Sequence, residues 1–352
     1  MDIFVILARA KAAFASDLHL MAGAPPVVRV NGVLQPLPDL DPLSAQEVEG
    51  FLPRLASEAV RNRFAQSKEA DFALTVPAVG RSRVNACLQR GTVKLSIRFL
   101  PAKPPTIEGL GLPLILKDLA SREHGLFLVC GPSGAGKSHT LAAMVEHINE
   151  NFTRSIVTIE DPIEFVHENK RSIVIQRELG LDTLDLNEAL RRALRQDPDV
   201  IVVGEMRDRE TISLALTAAE TGHLVLSTVH ASGAVEAISR IVDAFPLEAQ
   251  PAVRSQVSLV LLGALYQALL SKADGTGQVV ACEVLVTTSA IRNLIREGKF
   301  AQIQSYLEMG ARTGMQTLEQ AVEHLRKQGL VGPAAALPFL RREGAEAPLS
   351  GA

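Results

Sequence analysis

Residues Gly131, Pro132, Ser133, Gly134, Ala135, Gly136, Lys137 and Ser138 read GPSGAGKS and match the spacing GxxxxGK[ST]. Glycines so placed let backbone amides turn inward around an anion, and the following helix adds the positive end of its dipole. In such a loop Lys137 reaches the β- and γ-phosphates and Ser138 ligates Mg²⁺, with His139 next in the chain. The predicted chemistry is binding of ATP with Mg²⁺. A phosphate loop also needs a carboxylate at the end of a neighbouring strand, to hold the metal through water or to polarise the attacking water. Glu205, which ends the run VIVVGE, is one candidate. Glu160, Asp161 and Glu164 follow the run SIVTI in the same way, and Pro162 turns the chain so that Glu164 can aim back. His223 and His230 bracket LVLSTV, seven residues apart and so on opposite faces of a strand, which argues against a shared metal. His223 reads equally as a structural residue; His230, at the strand exit, reads as a γ-phosphate sensor or a subunit-coupling residue.

These residues need an α/β scaffold, and the chain has the pattern of one. From His124 onward the apolar runs GLFLVCG, SIVTIED, VIVVGE and HLVLSTV alternate with amphipathic helices, which predicts a parallel sheet buried on both faces. Asp185 with Glu188 forms a capping box before LNEALRRALRQ, and Asp208 caps a helix that stops at Gly222. Before this region, SDLHL and PPVVRVNGVLQPL predict strands with a turn at Asn31–Gly32. A helical stretch from Ser44 to about Lys68 follows, with Ser44 and Glu47 as capping box. FALTV, GRSRVNACLQR and TVKLSIRFL alternate with period two and read as strands of a small sheet. The expected division is an N-terminal domain over 1–100, a Pro/Gly-rich linker over 101–121, and a C-terminal domain over 122–352. The last contains a mostly helical lobe at about 280–332 and a frayed tail after Gly332.

Composition narrows the function classes. The 352 residues carry 36 Lys plus Arg against 39 Asp plus Glu, net −3, with 47% hydrophobic and 21% charged residues. That balance excludes a disordered chain or a small stapled fold and argues against a nucleic-acid binder. Cys87, Cys130 and Cys282 are far apart and read as free thiols of a reducing cytosol. No signal peptide is expected, and the apolar stretch from Val257 to Leu270 is shorter than the ~20 residues of a membrane span. The expected location is cytoplasmic.

GPSGAGKS, TIEDPIEFVH at 158–167, VIVVGEMRDRET at 200–211 and TAAETGHLVLSTVHA at 217–231 together resemble the four ordered motifs of secretion-superfamily ATPases. The resemblance is to the PilT-type branch that retracts type IV pili, and it extends from the N-terminus through GMQTLEQA at 314–321. It implies a PAS-like N-terminal domain, a RecA-like C-terminal domain, and a six-membered ring with ATP between subunits. Glu164 then matches the catalytic glutamate and Glu205 the Walker B glutamate. Arg83 in RSRVNA and Arg98 in SIRFLP match the arginines that the N-terminal domain contributes to the nucleotide. AIRNLIREGK at 290–299 matches a motif associated with retraction. Ser289 is its expected cap, Ile291, Leu294 and Ile295 its apolar face, and Gly298 its end. Arg292, Arg296 and Lys299 form a basic stripe expected to dock within the ring or on the pilus base.

The resemblance therefore implies a homohexameric motor at the inner-membrane pilus base, working on a platform protein and not on nucleic acid. Three departures, His139, Val229 and the segment LLGALYQALLSKADGTGQ in place of a polar Gln-rich helix, leave open an accessory role beside a paralogous pilus ATPase. A nucleic-acid translocase ranks below both. An extension or secretion ATPase would carry a larger N-terminal region and a four-cysteine zinc site.

Overall fold

Period-two alternation in the first hundred residues produces a sheet with one covered face. The structure, a computed structural model, describes residues 1–30, 32–101 and 103–340; Asn31 of the predicted turn and the tail from 341 lie outside them. Two units are present, one of Met1–Lys103 with Pro162–Val166, the other of Pro104–Asp161 with the chain from His167 on.

The N-terminal unit begins with α1 (Ile3–Ala12), β1 (Asp17–Met21), β2 (Val27–Val30) and β3 (Val33–Pro36). It continues with α2 (Ala45–Leu55), α3 (Glu58–Ser67), β4 (Glu69–Val76), β5 (Gly80–Gln89) and β6 (Thr92–Phe99). The strands form an antiparallel sheet in the order β3-β2-β1-β6-β5-β4. Leu18, Leu20, Val28, Val84, Ala86, Leu95 and Ile97 are buried in one core with Ile3, Ile6, Val48 and Phe51 of the helices. Most of the alternate positions are polar, and strand register puts Arg83 opposite Arg98, Arg98 opposite Asp17 and Asp17 opposite Arg29 in one row. The stretch expected as one helix from Ser44 is two. Ser44 and Glu47 make the capping box of α2, but Ala56 is extended and Ser57 caps α3 anew. A second cap inside a helical pattern offers the backbone another partner, and the chain takes it.

The second unit carries α4 (Ile115–Ala120), β7 (Gly125–Cys130), α5 (Lys137–Asn151), β8 (Ser155–Glu160) and β9 (Ile173–Glu178). Next come α6 (Leu186–Ala193), β10 (Val200–Val203), α7 (Arg209–Glu220), β11 (Leu224–Val229), α8 (Ala234–Asp243) and α9 (Gln250–Val260). The hairpin β12 (Leu261–Ser271) and β13 (Gln278–Val286) precedes α10 (Ser289–Glu297), α11 (Phe300–Met309), α12 (Leu318–Lys327) and α13 (Pro333–Ala336). The sheet order is β13-β12-β7-β11-β10-β8-β9, parallel except for the β12–β13 pair. β7, β10 and β11 are buried at every residue, as a parallel sheet covered by helices on both faces requires.

Four sequence expectations change here. The proposed linker is not a loose segment, because Ile107, Leu112, Leu116 and Leu119 are buried in the same cluster as Phe127 and Met144. The segment 261–278, compared above with a helix, is the strand β12 and its turn. Its helix-forming leucines and alanines are overridden by pairing to β7 and β13; a Cβ at Gly263 would lie 2.4 Å from the Leu285 carbonyl oxygen. The helical lobe consequently starts at Ser289, not near 280. Past Gly332 the chain does not fray at once, since α13 buries Ala336 against Ala321, Val322 and Val331.

Candidate active site

The phosphate loop joins β7 to α5, with Gly131, Gly134 and Gly136 at φ +148°, +78° and +87°. The first of these is also a close approach, because a Cβ at Gly131 would stand 2.6 Å from the Gln267 carbonyl oxygen of β12. Only glycine combines that backbone angle with that neighbour. Lys137 Nζ donates to the carbonyls of Gly131 and Pro132, both at 2.9 Å, so the ammonium is folded over the loop it follows. Burial draws its pKa below the ordinary lysine value, and the Glu205 charge opposes that shift.

Gln267, which sequence reasoning did not single out, holds the loop from below. Its Nε2 donates to the Ala135 carbonyl at 2.5 Å, its Oε1 accepts from Thr140 Oγ1 at 2.8 Å, and the residue is 1% exposed. One buried amide thus ties the loop and the first turn of α5 to the adjacent strand. The signal available in the sequence was a lone glutamine within an apolar run.

Glu205 emerges at the carboxyl end of β10, the edge at which open α/β sheets place their ligands. Its approach is fixed by side chains of β11: Ser227 Oγ donates to the Val203 carbonyl at 2.8 Å and Thr228 Oγ1 to that of Gly204 at 2.7 Å. The carboxylate is itself engaged on both oxygens, with Arg207 Nη2 at 2.8 Å and His230 Nε2 at 3.0 Å. The hydrogen bond that Arg207 donates to Glu205 raises the arginine's pKa. The histidine at the strand exit and the glutamate of the neighbouring strand, predicted separately, are therefore one pair. His223 lies at the opposite, amino end of β11, where Nδ1 meets the Ala218 carbonyl at 2.9 Å and Thr221 Oγ1 at 3.2 Å.

The carboxylates after β8 separate. Glu160 Oε1 accepts from Thr158 Oγ1 at 2.6 Å and from Gln176 Nε2 at 3.1 Å, so it is turned back along the sheet, while Asp161 is exposed. Glu164 sits in Pro162–Val166, which packs in the N-terminal unit through buried Ile163 and Phe165; Arg81 Nε donates to the Ile163 carbonyl at 3.1 Å. In the same unit Arg98 Nε donates to Asp17 Oδ1 at 2.9 Å, and Arg83 lies 3.9 Å from Asp71. Burial pushes the Asp17 carboxyl upward, but the bonds from Arg98 and Ser16 outweigh it and hold the pKa below the usual value. In α10, Thr288 and not Ser289 is the cap, while Gly298 ends the helix at φ +73° as expected. Arg292 is not part of a free stripe: its guanidinium donates to the carbonyls of Ser258 and Leu259 at the end of α9. Lys299 pairs with Glu297 at 2.8 Å, and Arg296 occupies the last turn.

The loop fits a nucleotide triphosphate with Mg²⁺: its turns require glycine, its lysine is in place, and a carboxylate stands at the neighbouring strand end. Comparison with known proteins gives the same direction. A family model described as Type II/IV secretion system protein matches residues 87–331. The Type IV pilus retractation ATPase PilT of Pseudomonas aeruginosa is 47% identical over 331 residues, covering 94% of this chain and 96% of that protein. The Type IV pilus ATPase PilU of the same organism is 41% identical over 314 residues, covering 89% and 82%. A crystal structure of the pilus retraction motor PilT with bound ADP superposes with a TM-score of 0.91 at 45% identity, covering 97% of this chain and 98% of that one. A chain-length match, a shared fold and the phosphate loop between β7 and α5 place this chain in the type II/IV secretion system protein family.

Proposed function

We propose that the chain is a motor ATPase that hydrolyses Mg-ATP as a homohexamer and drives type IV pilus retraction from the cytoplasmic side of the inner membrane. The observation that carries the reading is the Glu205–His230 pair at the strand edge beside a complete phosphate loop, within a chain 47% identical to a retraction ATPase over nearly its whole length. Loop amides and Lys137 hold the phosphates, and Ser138 and Glu205 are the residues that would hold Mg²⁺, which would neutralise phosphate charge and polarise the phosphoryl group. Glu164 orients the attacking water and takes its proton as the γ-phosphoryl group leaves ADP. Arg83 and Arg98 lend positive charge to the phosphoryl oxygens, and His230 senses the state of Glu205. Nucleotide-dependent rotation of the two units is the stroke. The recipient of the work is a platform protein, with Arg296 and Lys299 as the remaining docking charges of the α10 motif.

Steady-state ATP hydrolysis with mass photometry tests this. The expected result is a hexamer that turns over ATP, with Glu205→Gln slowing turnover by at least about tenfold while nucleotide still binds. Near-normal turnover in that variant rejects the role of Glu205. The 41% identity to PilU supports a second reading, an accessory subunit in mixed complexes with a paralogous pilus ATPase. A monomer or dimer that binds nucleotide without turnover selects it.

A further inference from the structure

The chain leaves the second unit after Asp161, contributes Pro162–Val166 to the N-terminal unit, and returns at His167. The return point is fastened to the phosphate-loop helix by buried groups that the nucleotide chemistry above does not use. His167 Nδ1 lies 2.8 Å from Glu146 Oε2, with the two side chains 4% and 7% exposed. Glu146 is on α5, nine residues after Lys137 and so about 13 Å along the same rigid helix. Its other oxygen takes Lys170 Nζ, which also pairs with Glu150 at 2.6 Å. Asn149, fully buried one turn along the helix, donates to the Glu168 carbonyl at 2.7 Å and accepts from the Lys170 amide at 3.1 Å. The departing stem is tied to the same place, because Gln176 Oε1 accepts the His167 amide at 2.8 Å while Gln176 Nε2 donates to Glu160.

We infer that Glu146 and His167 are positioning residues for hydrolysis: their buried bond pins the stem of the five-residue loop bearing Glu164 to the helix that begins in the phosphate loop. The inference rests on the proposed role of Glu164. Burying an ionised carboxylate is costly unless it is paired, and a plain stabilising contact would be served as well by apolar side chains. Glu146 nevertheless stays ionised: burial pushes its pKa up, but the bonds from Lys170 and His167 outweigh that and leave it below the usual range. Burial lowers the His167 pKa against the pull of Glu146, so the neutral ring donates from Nδ1 to the carboxylate. A hydrogen bond of this kind has direction, which packing lacks, and direction is what a five-residue loop on a fixed stem requires.

The test uses the full chain and compares His167→Ala, His167→Asn, Glu146→Ala and Glu164→Gln for kcat, KM for ATP, affinity for a fluorescent ADP analogue, and melting midpoint. His167→Ala and Glu146→Ala are expected to lower kcat about 10- to 100-fold, the scale of a small misplacement of a reacting group. Analogue affinity should stay within about twofold, which separates lost positioning from lost binding. His167→Asn keeps an N–H near the Nδ1 position and should recover most of the lost kcat although its smaller volume lowers the melting midpoint. Should kcat follow the melting midpoint through the Ala and Asn variants, or should kcat stay normal in His167→Ala, the pair is only structural. If the Ala variants do not fold, His167→Asn decides by whether kcat holds while stability falls. Normal turnover in Glu164→Gln removes the catalytic reading and this inference with it. Slow turnover there with an unaffected His167→Ala overturns the inference alone.

Discussion

The two sheets offer side chains to chemistry in opposite ways. The parallel sheet is covered on both faces, and the polar groups at its ligand edge are each held by bonds: Lys137 by two carbonyls, Glu205 by Arg207 and His230, the loop by the mid-strand Gln267. The antiparallel sheet is covered on one face, and its open face presents Arg83, Arg98 and Arg29 in a single cross-strand row with Asp17 as the one acid among them. Two arginines directly opposite each other repel, a small cost that an anion bound to this face would offset. The lesson is that precision sits in the second unit and adaptable charge in the first. Substitutions at the supports of the phosphate loop should cost stability together with function, and those in the arginine row function alone.

Arg98→Ala is the strongest attempt to break that contrast. Turnover should fall by about 10³-fold, as for arginines that stabilise phosphoryl transfer. Arg98 is 68% exposed, and an ion pair so open to solvent is worth about 0–1 kcal/mol, so the urea midpoint should barely move. A large loss of stability would show that the row is structural. Gln267→Leu examines the other side. With the Ala135 carbonyl and the Thr140 hydroxyl left unpaired in the interior, unfolding free energy should drop by about 2 kcal/mol, and affinity for an ADP analogue should weaken in parallel. Unchanged stability would mean that the loop holds its shape without the amide. The smallest effect belongs to Glu47. Its carboxylate accepts from the Ser44 amide, which with the nearby amino terminus lowers its pKa from 4.5 to about 2. An acid with a depressed folded pKa stabilises fully above its unfolded value and loses that contribution as pH falls through the folded value. Glu47→Gln should therefore flatten the denaturation curve between pH 4.5 and about 2 and leave turnover at neutral pH intact, which denaturation followed against pH would show.

Legibility differed in the same way. GPSGAGKS is contiguous, and a strand before it with a helix after it were both readable from local periodicity. The caps at Ser44, Asp185 and Asp208 act within three residues and were readable for the same reason. The β12–β13 hairpin was not, because helix-forming residues become a strand only when β7 is already there to pair with. Neither was Arg292, whose charge reads as a surface stripe and whose partners, two carbonyls at the end of α9, lie more than thirty residues away.

From the sequence alone came the phosphate loop, the α/β class and the residue types that nucleotide chemistry needs, since those depend on short-range spacing and period. Only the tertiary structure joined Glu205 to His230, Gln267 to the loop, and His167 to Glu146 across 21 residues of chain. It also set Pro162–Val166 in the other unit. The physical reason is that a buried hydrogen bond is specified by where two backbones have been packed, and packing is a property of the whole core rather than of either segment.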